Sequence, residues 1–113
     1  MVGRGEIWWA DLAEPVASEP GFTRPVIVVQ SDVFNRSRIG TVVVVALSSN
    51  VRLAAAPGNV LLSPQKSGLS KESVANVSQI ITLDKQFFRE KIGELNQKTM
   101  HLVDEGIRLV LAP

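Results

Sequence analysis

Apolar residues fall in short, β-branched runs over most of the chain and at helical spacing only near its end. Residues 6–12 (EIWWADL) are apolar and aromatic and predict a first strand. Pro15, Pro20 and Gly21 interrupt any regular element, so residues 13–23 are expected to form a loop. Residues 24–30 (RPVIVVQ) predict a buried strand with Pro25 near its start. Ser31 and Asp32 can cap one helical turn running through Asn35. Residues 41–47 (TVVVVAL) carry four valines in succession and predict the strongest strand of the chain. A loop over residues 50–58, a short strand over 59–63 and a turn-rich connection over 63–70 follow. Residues 73–82 (SVANVSQIIT) predict another strand, with polar and apolar side chains mixed on both faces. A short helix is expected within residues 84–89, before 92–95.

The period then changes. Met100, Val103, Ile107 and Val110 recur at three- and four-residue steps, which marks one face of a helix. Asn96 is a suitable N-cap, and Gly106 weakens such a helix by roughly 1 kcal/mol relative to alanine. Five or six short strands without long intervening helices argue against parallel βαβ units. The expected fold is mainly β (α+β): a small, twisted, mostly antiparallel barrel with a C-terminal helix.

Composition narrows the function. The chain has 113 residues, which predicts one domain spanning 1–113. It has no cysteine, so disulfides, thiolate metal sites and a Cys nucleophile are excluded. The N-terminus lacks a signal-peptide pattern, and the longest apolar run, residues 42–47, is far too short to cross a bilayer. A cytoplasmic location is therefore expected. Net charge is +1, but residues 33–71 contain Arg36, Arg38, Arg52, Lys66 and Lys71 and no acid. That local excess can form a phosphate-tracking face or an ordinary solvated surface.

No nucleotide-cofactor motif is present, and no cofactor is expected. His101, the single histidine, lies in the predicted helix and reads as an exposed or structural residue. Arg24 opens a buried strand directly after a Pro- and Gly-rich loop containing Glu19. Its guanidinium suits an anion site; alternatively it pairs with Glu19 or closes the strand end. Ser48, Ser49 and Asn50 follow the valine-rich strand and can either bind a ligand or satisfy a turn. Trp8 and Trp9 share a strand, so one must point inward, whereas Phe22 in its loop is the better ligand contact.

These residues resemble a known family. Residues 4–12 (RGEIWWADL) are similar to the opening "RGeIWwvdL" of MazF/PemK-like toxins. Ser18-Glu19, Gly21 and Arg24-Pro25-Val26 resemble the family's "GSEqgg-RPvvv" segment. Asp32 with Phe34-Asn35-Arg36, residues 41–48, Gly68-Leu69, Ser73-Val74 and the stretch from Gln79-Ile80 to Asp84-Lys85 match in order. The resemblance spans nearly the whole chain.

It implies an SH3-like barrel that works as a homodimer and cleaves single-stranded RNA at short sequences without metal. It also implies inhibition by a small, partly disordered antitoxin. By position, Arg24 and Ser48 match the family's catalytic arginine and threonine, and Glu19 an implicated glutamate. Ser18, Phe22, Thr23, Ser49, Asn50, Asn76, Ser78 and Gln79 are the expected RNA contacts. Attack by the RNA's own 2′-OH fits these groups, with Glu19 the better base because arginine does not deprotonate. The sequence departs from the family at Ala17 and Pro20, where Gly and Gln are usual, and at Ser48. Asn76 and Ser78 stand where some PemK-type relatives carry Arg and Asp, so an Asp-as-base mechanism does not transfer. The alternative is a catalytically degenerate or CcdB-like relative that acts by binding a protein. The CcdB-like tail Trp-Gly-Ile is replaced here by residues 109–113 (LVLAP).

Overall fold

A computed structural model describes residues 1–12 and 23–113. Six strands form one sheet: β1 (Glu6–Asp11), β2 (Thr23–Val28), β3 (Thr41–Ser48), β4 (Val60–Leu62), β5 (Ser73–Asp84) and β6 (Phe88–Glu94). Their order is β4-β5-β3-β2-β1-β6, and every pairing is antiparallel. The described residues also form three α-helices: α1 (Asp32–Asn35), α2 (Pro64–Ser67) and α3 (Gln97–Leu111). The expected mainly β architecture with a C-terminal helix is what forms, as a curled sheet whose β4 and β6 edges do not pair.

Alternation along the strands divides the buried residues into two clusters. Val26 and Val28 join Val42, Val44, Ala10 and Leu83 on one side of the sheet. Ile27, Val45 and Leu47 face the other side, with Ile7, Leu62, Val77, Met100 and Val103. The valine run is thus buried on both faces, which is why it reads as a continuous apolar segment.

Helix α3 covers the second cluster. Asn96 caps it, its side chain accepting from the Thr99 amide at 2.8 Å. Arg4 anchors the helix to the N-terminus through a two-pronged contact with Asp104 (2.5 and 3.1 Å). Arg4 Nε also donates to the Val29 carbonyl. Met100 and Val103 are buried as the periodicity predicts, but Val110 is 43% exposed. Gly106 is the next buried position after Val103. A Cβ there would lie 2.1 Å from the Gly58 carbonyl oxygen, so this glycine brings the helix against backbone. Its propensity cost is offset by that close approach.

Helix α2 bridges the two outer strands of the sheet, touching both β4 and β6. Gly68 ends it in the left-handed region (φ +82°), and a Cβ on Gly68 would meet the Ile92 carbonyl at 2.9 Å. The turn-rich stretch over 63–70 therefore contains a short helix as well.

Other boundaries move for local reasons. β2 ends at Val28, before Gln30. The Gln30 side chain donates to Asn35 and the Thr41 carbonyl and accepts from the Val43 amide. The expected loop over 50–58 contains a 3-10 turn, Val51–Ala55. The helix expected within 84–89 is one 3-10 turn, Lys85–Phe87, and β6 starts at Phe88 rather than near Ile92. As an edge strand, β6 presents charged side chains that hide its period.

Strand β5 carries the largest irregularity. Between the pairs Leu47–Ala75 and Val45–Ile80, β3 advances through one intervening residue and β5 through four. The surplus is a bulge over residues 76–79. Asn59 braces it by donating to the Leu53 carbonyl (2.9 Å) and the Asn76 side chain (3.2 Å) and accepting from the Val77 amide (3.0 Å).

Candidate active site

Where β1 and β3 end and β2 begins, a pocket of about 320 Å³ opens at the sheet margin. Its wall draws on four separate segments: Trp9; Arg24 and Pro25; Leu47 to Asn50; and Leu69, Ser70, Lys71 and Ser73. Beyond the last β2–β3 pair, Val26 with Ala46, the two strands carry Arg24 and Ser48 to the same pocket. Two residues 24 positions apart in sequence thus line one pocket. The Arg24 guanidinium donates to the Leu47 carbonyl at 3.2 Å, which fixes one arm of the fork. Remaining N–H groups can serve an anion.

Ser48 Oγ accepts from the Asn50 amide at 3.1 Å, and Asn50 Oδ1 accepts from the Arg52 amide at 3.2 Å. The turn expected of these small polar residues therefore forms. It does not exhaust them: the Ser48 hydroxyl keeps its proton to donate, and Asn50 keeps its amide N–H groups. Trp9 is half-buried, packing against the core from the pocket wall.

The structure separates the remaining sequence candidates. Thr23 starts β2 but donates to Asp11 at 2.9 Å, in a strand-end pair joined by Arg89. Hydrogen bonds from Arg89 and Thr23 hold the Asp11 carboxyl below its usual range. Asn76, Ser78 and Gln79 occupy the β5 bulge and do not line the pocket. Ser78 Oγ donates to Asn76 at 3.1 Å. His101 is solvent-exposed beside Glu105. Ser18, Glu19 and Phe22 lie outside the described residues.

The other perturbed carboxylates belong to the frame. Burial pushes the Glu6 carboxyl up, but hydrogen bonds from the Trp8 indole, the Gly3 amide and Lys91 outweigh it and lower the pKa. Asp32 is lowered by hydrogen bonds from the Asn35 side chain and the Arg4 amide. No three His, Asp or Glu side chains gather into a metal-binding group among the described residues.

Sequence reasoning did not place Trp9, Leu69, Ser70, Lys71 or Ser73 in a site. Lys71 stood out only as part of the acid-free stretch. Its position follows from the β5 pairing of Val74 with Ser48 and Ser73 with Leu62, contacts with no local sequence signal.

Comparison with known proteins points the same way. Residues 3–111 match the family model described as PemK-like, MazF-like toxin of type II toxin-antitoxin system. The chain is 46% identical over 111 residues to Endoribonuclease MazF6 of Mycobacterium tuberculosis, covering 98% of this chain and 97% of that protein. It is 38% identical over 112 residues to Endoribonuclease EndoA of Bacillus subtilis, covering 99% and 96%. A mycobacterial endoribonuclease solved in complex with its cognate antitoxin superposes with a TM-score of 0.77 at 25% identity, covering 96% of this chain and 93% of that one. MazF from Deinococcus radiodurans shares the fold, with a TM-score of 0.76 at 20% identity over 97% and 96% of the two chains. With nearly its full length matched, the chain belongs to the PemK-like, MazF-like toxin family of type II toxin–antitoxin systems.

Proposed function

We infer that the chain is an endoribonuclease toxin that cuts single-stranded RNA at the Arg24–Ser48 pocket. The observation that carries this is that Arg24, bonded to the carbonyl of Leu47, and the next residue, Ser48, line one open pocket. A phosphodiester there can receive guanidinium N–H groups from Arg24 and the hydroxyl proton of Ser48.

Metal-free cleavage uses the RNA itself as nucleophile. The 2′-oxygen bonds to phosphorus as its proton passes to a base, and the P–O5′ bond breaks. The products are a 2′,3′-cyclic phosphate and a 5′-hydroxyl, the departing oxygen taking up a proton. Negative charge grows on the phosphoryl oxygens in the transition state, and donors fixed beforehand stabilise it most. Arg24 is fixed by its bond to the Leu47 carbonyl and by the strand beneath it. Ser48 is held by its turn. Glu19 is the proposed base, since a carboxylate accepts a proton near neutral pH and a guanidinium does not give one up. Ser18, Phe22, Thr23, Ser49, Asn50, Asn76, Ser78 and Gln79 are proposed to contact RNA, with Ser49 and Asn50 nearest the reacting phosphate. DNA lacks the 2′-OH and is not cut.

The proposed toxin works as a cytoplasmic homodimer restrained by a small, partly disordered antitoxin. Support for a protein partner comes from a relative solved with its cognate antitoxin. Further support is a groove of about 760 Å³ between β4 and α3, lined by exposed Leu61, Leu102 and Leu109.

The test is incubation of mixed-sequence single-stranded RNA in EDTA with wild type and Arg24→Ala. Wild type is expected to cut at a recurring short sequence, leaving 5′-hydroxyl ends, and the variant to lose at least 100-fold in rate. Intact RNA with folded, antitoxin-free wild type overturns the proposal and favours action through a protein partner.

A further inference from the structure

We propose that Lys71 binds a backbone phosphate of the RNA next to the one that is cut, making it a substrate-positioning residue. This rests on the pocket being the RNA site. Arg24 lies in β2 and Lys71 just before β5, 47 positions later, yet both line the same pocket. Arg24 already donates to the Leu47 carbonyl, beside Ser48. Lys71 lines the pocket from the short segment leading into β5.

That segment is held on both sides. Before it, Leu69 is buried and its amide donates to Ser67 Oγ at 3.0 Å. After it, buried Ser73 donates from Oγ to the Lys71 carbonyl at 3.4 Å and pairs with Leu62. Val74 then pairs directly with Ser48. The backbone of Lys71 is therefore tied to the strand end that carries the Ser48 hydroxyl. The side chain itself is exposed and enters no ion pair among the described residues.

The two cations differ in what they suit. A guanidinium presents a planar fork with fixed directions, fit for a phosphate whose geometry changes during reaction. An ammonium on a four-carbon stem is a mobile point charge, fit for a phosphate that must only be held. A chain running across the pocket presents successive phosphates to successive walls. Lys71 thus supplies one counterion-releasing contact outside the reacting group.

Each phosphate contact on a single strand contributes about 0.7 to the slope of log affinity against log salt. The test measures binding of a mixed-sequence single-stranded DNA, which carries the phosphates and no 2′-OH, between 50 and 500 mM salt. Wild type, Lys71→Gln, Lys71→Arg and Lys66→Gln are compared. Lys66 is exposed on α2, does not line the pocket, and its substitution changes net charge equally. Lys71→Gln is expected to flatten the slope by about 0.7, so that wild type loses about fivefold more affinity than the variant over this range. Lys71→Arg is expected to restore the slope, and Lys66→Gln to keep it. An unchanged slope in Lys71→Gln, or an equal loss in Lys66→Gln, overturns the assignment. RNA cleavage by Arg24→Ala is run beside it. Cleavage lost in Arg24→Ala with an unchanged Lys71→Gln slope rejects the Lys71 contact alone. Cleavage retained in Arg24→Ala rejects the pocket.

Discussion

Replacing Gly106 with alanine sets two effects of known sign against each other. In an exposed helix the change is worth about 1 kcal/mol in favour of the variant, from propensity alone. Here the new Cβ would fall 2.1 Å from the Gly58 oxygen and 3.0 Å from its carbonyl carbon. That is more than about 1 Å short of van der Waals contact. Gly58 cannot simply withdraw. It sits at φ +78°, and the space beside it is closed by Val77, whose Cγ1 would lie 3.0 Å from the same new Cβ. Helix α3 must retreat instead, loosening Met100 and Val103 from the core they fill. Overpacking of this kind costs about 1–3 kcal/mol, and a shift of a whole helix belongs at the upper end. Net destabilisation of about 1–2 kcal/mol is expected, a fall in Tm of roughly 4–8 °C for a domain of this size. Urea and thermal unfolding of both proteins measure it. Gly40→Ala is the control: nothing lies within 4 Å of a Cβ there, and a change within about 0.5 kcal/mol is expected. A Gly106→Ala protein as stable as wild type, or more so, would refute the claim that this glycine exists for backbone contact.

Other outcomes follow from the same geometry. Asn59→Ala removes the donor to the Leu53 carbonyl and the acceptor for the Val77 amide and should cost about 1–3 kcal/mol by urea unfolding; a neutral change means that the β5 bulge holds itself. Ser48→Ala should slow RNA cleavage by about 100-fold or more, while Ser48→Thr keeps the hydroxyl and most of the rate; equal rates in Ser48→Ala and wild type remove Ser48 from the chemistry. Glu6 and Asp32 have folded pKa values below their unfolded ones. Their contribution is present above the unfolded values near 4 and is lost as pH falls through the folded ones. Urea midpoints should therefore drop between pH 5 and 3, and the drop should shrink in Asp32→Asn; an equal drop in the variant excludes Asp32 as a source.

What the sequence reveals depends on how local the cause is. The valine run announces β3 because both faces of that strand are buried. The Ser31 and Asn96 caps are visible because capping is a matter of one side chain and the next turn. β6 is concealed because an edge strand alternates little and carries FREKIGE, a charged string. Gly106 is misleading when read alone, since its role is set by Gly58, which lies 48 positions earlier. The site divides likewise. Arg24 and Ser48 are conspicuous individually, one opening a strand and the other ending one. Their adjacency needs the β2–β3 register, and the inclusion of Lys71 needs the β3–β5 register. Asn76, Ser78 and Gln79 look like continuous strand residues in the sequence, yet a surplus of β5 residues lifts them into a bulge away from the pocket.

Attack by the RNA's own 2′-OH at the Arg24–Ser48 pocket is tested most directly with a single deoxy substitution. Once a cleavage position is mapped on a short RNA, the same strand is made with 2′-deoxyribose at the nucleotide 5′ to the scissile bond. The all-RNA strand should be cut in EDTA to a 2′,3′-cyclic phosphate and a 5′-hydroxyl, and the substituted strand should remain intact while still competing for binding. Cleavage of the deoxy strand at that bond, or a 5′-phosphate on the product, would contradict the mechanism and require a nucleophile other than the substrate.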